Sequence, residues 1–502
     1  MATRNGLTKR IVLRIVLAAA SLTLAGFATS AALAQSQGGD DKTTSASKVE
    51  RLNRAPVNKE ILRVKLPRPT VEKLPNGLTL VLLEDHKLPT IGFYLSIRPG
   101  QLGDPKQLPG VASFTAGMLR EGTAKRTSAQ IATEVDTLGA NLDVNSWFGN
   151  SFTNVTATGL ISTAPQILDL MSDVVLNPIF SDDELAKYKQ TESATLEQNL
   201  SSPDFLAYRA YRRTIYGDNN LGMVAPTKES IGKISSADLK KFHGAHYVPG
   251  NSILIVSGDF KTADMKDLVA KYFGAWKGAA EPAITLPETI PQSPSQILII
   301  DRPGSVQTTF AVGDLAIRRA SPEYYGLKVM NQILGDGPQA RLFLDLREEH
   351  SLTYGAYSYF TSEIYPGYWQ ASSPVRTEVT KDAFDRFTYE FKKINNEPVP
   401  QLELDEAHRA IVAAFALSLE QPLDIVDDWF TVQYYELPAD YWDKYPDQIF
   451  GVNAQGVQAA AKKFVDLDHL QWILVGDRKA IESVAKQYGP VTVVDVNGNP
   501  EK

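Results

Sequence analysis

Two stretches of this chain end alike. ILIVSGD closes at Asp259 and QWILVGD at Asp477, 218 residues later, and the opening strands keep that spacing, with Thr90 in PTIGFYLSIR standing 218 before Thr308 in QTTFAVGDLAI. A repeat of this length is a duplicated domain, because solenoid units run only ~20–50 residues. Between the copies lies a stretch holding Pro282, Pro287, Pro291 and Pro294, which reads as a linker over 279–296. Inside each copy strands and helices mix without the alternation of a parallel α/β protein. That pattern predicts an α+β chain of two homologous domains, 61–278 and 297–495, each a mixed β-sheet with helices packed on one face.

In the first copy NGLTLVLLEDH reads as a turn at Asn76-Gly77 followed by a strand, and TIGFYLSIRPG as a second strand. Helices are predicted over 110–120 and 128–138, the latter with Ser128 as its cap, then the strand pair ANLDVNSWFG and SFTNVTATGL, then helices through 163–242. In the second copy QILIIDRP and QTTFAVGDLAI read as strands. A helix over 324–334 and another up to about His350 precede strands at LTYGAYSYFTS and GYWQASSPV, and helices fill 381–464.

The front of the chain is a predicted export signal. Arg4, Lys9, Arg10 and Arg14 precede a short apolar run, and Ala32-Leu33-Ala34 supplies a small-x-small cleavage pattern. The expected product is a periplasmic protein whose first residues, 35–60, are a polar, disordered lead-in with no stable membrane span. Four of the 51 basic residues lie in 1–34 and no acidic ones do, leaving 47 basic against 58 acidic side chains, a net charge near −11. That balance argues against nucleic acid as a partner. The absence of cysteine excludes disulfides, thiolate nucleophiles and Cys-based metal sites.

NGLTLVLLEDHKLPTIGFYLSIRPGQLGDP with GVASFTAGMLREGT, then FHGAHYVPGN before ILIVSGDF, and GDGPQARLFLDLREEHSLTYGAYSYF in the second half together resemble the pitrilysin/insulinase family of zinc peptidases, in its processing-peptidase-like branch. The resemblance spans essentially all of the chain after the predicted signal, with both halves in order, and implies two similar domains facing each other across a chamber, with zinc on the first.

Active members of that family carry H-x-x-E-H on the first helix. Two imidazoles four residues apart share a helical face and hold zinc, and the Glu activates water. Here the three positions are Ser113, Ala116 and Gly117. A hydroxyl, a methyl and a hydrogen offer neither base nor ligand set. A third family ligand, a distal carboxylate, has Glu192 and Glu197 as candidates, and the alignment does not separate them. Of the six histidines, His243 and His246 form H-x-x-H but lack a base and a third ligand, so a helix-end role is expected. His408, within ELDEAHRA, reads as a solvated helical residue. Ser113 has no recognisable base nearby in sequence and no G-x-S-x-G or S-x-x-K nucleophile arrangement stands out, which weighs against a hydrolase of another kind.

The second half keeps an Arg and a Tyr seven residues apart, Arg347 and Tyr354. In the family this pair projects towards the zinc of a facing domain, the Tyr as an oxyanion donor and the Arg as a fork for substrate carbonyls. On spacing alone the two are also an ordinary charged helix end and a plain strand residue. The resemblance therefore implies a non-catalytic subunit with no metal of its own. Its zinc-bearing H-x-x-E-H partner would receive Arg347 and Tyr354 in trans to cleave peptides. The alternatives are a non-enzymatic scaffold and a peptide-binding protein that uses an exposed strand edge near 142–146.

Overall fold

A computed structural model describes residues 61–278, 284, 286 and 289–501; the predicted signal, the lead-in and much of the linker lie outside them. Val and Ile-rich runs bounded by Gly, Asn and Pro form two six-stranded sheets. The first consists of β1 (Thr70–Lys73), β2 (Thr79–Glu84), β3 (Thr90–Ile97), β4 (Asn141–Asn145), β5 (Thr153–Leu160) and β6 (Ser252–Gly258), in the order β1-β2-β6-β3-β5-β4. The second consists of β7 (Gln296–Asp301), β8 (Gln307–Leu315), β9 (Tyr357–Phe360), β10 (Tyr368–Arg376), β11 (Gln471–Gly476) and β12 (Val491–Val494), in the order β12-β7-β11-β8-β10-β9. Both are mixed: β6 runs parallel to β2 and antiparallel to β3, and β11 runs parallel to β7 and antiparallel to β8.

The duplication is thus visible in the ladders. Phe93 faces Val256 in one sheet and Ala311 faces Ile473 in the other, which keeps the 218-residue offset to within one residue. The outermost strands break the symmetry, since β1 is antiparallel to β2 whereas β12 is parallel to β7.

Every residue of β6 and of β11 is buried, as strands covered on both faces must be. Each sheet carries its own half's helices on one face. The second face takes a helix from the other half. Leu206, Tyr211 and Ile215 of the Pro203–Tyr216 helix pack with Ile300, Ala311, Ile473 and Val475 of the second sheet. Val426, Trp429 and Val432 of the Pro422–Tyr434 helix belong to one cluster with Val81, Leu83, Ile253 and Ile255 of the first. The exchange is fixed by a buried hydrogen bond, in which Tyr211 Oη donates to the carbonyl of Trp369 at 2.7 Å. Gly313 allows the approach, because a Cβ there would sit 2.7 Å from that hydroxyl. Tyr211→Phe is expected to cost ~1 kcal/mol, read as a lowered denaturant midpoint at unchanged slope.

Local signals mostly hold, with small displacements. The Ser128–Leu138 helix is capped by Thr127, not Ser128: extended at φ −76°, Thr127 accepts from the Gln130 N–H, and the Gln130 side chain closes a capping box. The predicted helix up to His350 ends in a π-helical turn, Leu344–Glu349. LTYGAYSYFTS forms a strand only over Tyr357–Phe360, so Tyr354 stands in the loop before it. No helix among the described residues is long and apolar enough to cross a membrane.

Candidate functional site

The helix that should hold the metal motif spans Val111–Met118. Gly110, at φ 103°, starts it, and the Asp104 carboxylate accepts from the N–H groups of Gly110 (2.6 Å) and Ala112 (2.7 Å). Burial nevertheless pushes the Asp104 carboxyl up to about 7 against those two bonds. Val111, Ala112, Phe114, Ala116 and Met118 are buried, while Ser113 and Gly117, four residues apart, share the partly exposed face. Ser113 Oγ donates back to the Gly110 carbonyl at 2.9 Å.

Tyr188 of the Asp182–Leu200 helix fills the space beside Gly117. Its ring meets Phe114 edge-on at 5.0 Å, and a Cβ built on Gly117 would lie 2.7 Å from Tyr188 Cε2 and closer still to its hydroxyl. Burial pushes the carboxyl of Glu192, one turn on from Tyr188, up, with the Tyr188 hydroxyl opposing that rise. Glu197 points elsewhere, exposed and paired with Lys228 at 3.3 Å. Of the two distal candidates, Glu192 is the half-buried one, a turn from the Tyr188 that packs on the motif helix. The set does not fit zinc. A hydroxyl bonded to backbone, a methyl and a glycine under a phenol leave one half-buried carboxylate where at least three protein ligands are needed.

The histidines do not replace it. His243 Nε2 is 2.8 Å from the Val175 carbonyl, and its ring stacks on Tyr247 at 4.6 Å. Burial holds its imidazole below the usual value. The His246 ring packs on Phe242. His408 corrects the expectation of a solvated residue, since it is only 4% exposed and lies against Phe450. Among the described residues one group has metal-like spacing, Asp345, Glu349 and His350. There Arg386 already forks onto both Asp345 oxygens at 2.7–2.9 Å, which neutralises the carboxylate.

In the second half, the π-helical turn presents Arg347 to solvent. Its guanidinium lies over the Phe343 ring at 4.8 Å and 3.3 Å from Glu348. Tyr354 is 89% exposed, although a tyrosine ordinarily buries much of its ring. Both therefore stand on the surface, Tyr354 more fully than the neighbouring Tyr357 and Tyr359, which are 42% and 40% exposed. Linear spacing could not have revealed Tyr188, whose effect depends on a contact across 71 residues of chain.

Several carboxyls carry protons well above their usual range because they are buried. Glu363 is raised to about 7, with Tyr435 Oη donating to it at 3.0 Å, and Asp428 and Glu390 also reach about 7. An acid whose folded value is raised binds more protons folded than unfolded. Its contribution is present at low pH and is lost between the ordinary carboxyl range and about 7. The melting temperature is expected to fall between pH 5 and pH 8, and less steeply in Glu363→Gln. A melting temperature that rises across this window, or an unchanged slope in the variant, contradicts the burial account.

Both halves of the chain resemble known proteins. The model described as insulinase, peptidase family M16, matches residues 79–223, and that described as the peptidase M16 inactive domain matches 233–411. An uncharacterized zinc protease of Bacillus subtilis is 22% identical over 347 residues, 69% of this chain and 83% of that protein. One from Rickettsia felis is 25% identical over 65% of this chain and 76% of its own. Among solved structures, a Pseudomonas fluorescens protein described as a peptidase M16 inactive domain superposes with a TM-score of 0.76 at 28% identity, over 82% of this chain and 98% of the other. A protease from Helicobacter pylori matches with the same score at 18% identity over 82% and 100%, a likeness of fold.

Proposed function

This chain belongs to the insulinase (M16) peptidase family, and from that premise we propose that it is the metal-free subunit of a heteromeric periplasmic peptidase, giving Arg347 and Tyr354 in trans to a partner that carries zinc on H-x-x-E-H. The observation that carries the reading is the contrast between the two halves. In the first, Tyr188 stands over Gly117 and no ligand set remains. In the second, Arg347 and Tyr354 are held at the surface where a facing protein could meet them. A phenol that donates to the oxyanion and a guanidinium that grips substrate carbonyls do useful work only beside an activated water, so the partner must supply it.

The test is reconstitution with an exported H-x-x-E-H relative from the same cell. Neither chain alone is expected to cleave peptides at an appreciable rate, and the mixture is. Equal activity of the relative with and without this chain sinks the proposal.

The second reading, a peptide-binding protein without catalysis, is favoured by the free edge of β4 and by Trp147 beyond it, 65% exposed. Such an edge can accept an added strand. Peptide affinity in the isolated chain, with no gain in partner activity, would select it.

A further inference from the structure

The two halves leave a cleft of about 820 Å³ between them, within the roughly 300–1,000 Å³ range of ligand sites. Its floor is apolar, made by Leu298 and Ile300 of β7 and Val494 of β12, and one wall is the Pro203–Tyr216 helix. β12 and β9 are the opposite ends of the second sheet. Five inter-strand spacings, ~24 Å, therefore separate this cleft from the strand that follows Tyr354.

Arg209 and Arg213, one helical turn apart, both reach the cleft. Arg209 is half-buried and donates to the Val496 carbonyl. Among the described residues no carboxylate pairs with it. The nearby Asp495 carboxylate is occupied by the N–H groups of Asn497 and Asn499, at 2.8 Å each, and by the Asn499 amide at 2.9 Å. Arg213 lies 3.5 Å from Asp218, but both are well exposed, so that pair is weak. Burial and the neighbouring Arg213 hold the Arg209 guanidinium below its usual value. Two like charges beside an apolar floor, one of them half out of water, favour an anion attached to an apolar body.

We propose that this cleft binds the carboxyl-terminal end of a peptide, its terminal carboxylate on Arg209 and Arg213 and its apolar side chains over Leu298, Ile300 and Val494. The guanidinium forks suit a planar carboxylate. The choice of a peptide over another amphiphilic acid rests on the peptidase-subunit reading. On that reading the site anchors a substrate tail or retains a cleaved product.

The test is calorimetric titration of the full chain with acetyl-Ala-Leu-Val-Leu as the free acid and as its amide. The acid is expected to bind at least about tenfold more tightly than the amide, the scale of one charge-assisted contact. Arg213→Gln, at an exposed position, should weaken that preference without changing the melting temperature, and Arg209→Gln should abolish it. Arg347→Ala should leave it intact. Equal affinities for acid and amide, no binding of either, or indifference to Arg213→Gln overturns the proposal, and decanoate binding in place of the peptide reassigns the cleft to acyl chains. If Arg347→Ala disables the reconstituted enzyme while the carboxylate preference is missing, the cleft proposal fails and the subunit reading stands.

Discussion

Tyr354→Phe and Arg347→Ala are each expected to slow peptide cleavage by the reconstituted two-chain enzyme about 10²–10³-fold, the usual cost of one oxyanion donor. Neither should change the folding stability of this chain by more than about 0.5 kcal/mol. Tyr354 stands 89% exposed in the loop before β9, so its hydroxyl supports nothing internal. Arg347 touches only the ring of Phe343 and the adjacent Glu348 in the contacts described above. If the loss lies in kcat with KM little changed, the phenol acts in the transition state rather than in substrate capture. Full activity in both variants would falsify the role in trans.

Writing Ser113→His, Ala116→Glu and Gly117→His into the chain is expected to yield a loosened fold rather than a zinc site. An imidazole at 117 must begin where Tyr188 already stands, and such overpacking costs ~1–3 kcal/mol. Ala116 is fully buried, so a Glu there adds an unpaired carboxyl in the core, at a further cost on the order of 1–3 kcal/mol. Together these approach the lower end of a domain's total stability of about 5–15 kcal/mol. Adding Tyr188→Ala to the triple variant frees the space beside 117 and should recover part of the loss. A triple variant that keeps the parent's denaturation midpoint and takes up one zinc per chain would show that Tyr188 obstructs nothing.

The duplication was legible because it is written in strand segments whose apolar runs and closing Gly-Asp pairs recur at one spacing. The strand order recurs in both sheets, while the pairing of the central strands differs by one residue between them, which strands buried on both faces tolerate. The exchange of helices between halves was not legible, because the faces of Pro203–Tyr216 and Pro422–Tyr434 look like any amphipathic stripe until a partner sheet is present. His408 could have been placed. Leu404, Ala407 and Ile411 lie on its side of the helix and are buried with it, a 3–4 spacing that outweighs the charged residues around it. In the motif helix the missing ligands were plain from residue type, whereas the phenol that closes the space required the packing of two helices distant in sequence. The exposure of Tyr354 likewise came from the shortened strand, which starts three residues after it.

One quantity bears most directly on whether this chain can act alone: the zinc content of the purified protein, measured by mass spectrometry of the metal after dialysis against zinc-buffered solution. With a hydroxyl, a methyl and a bare glycine under Tyr188 in place of the ligands, far less than one zinc per chain is expected, and no chelator-sensitive peptidase activity. One zinc per chain, with proteolysis that disappears when it is removed, would contradict the account.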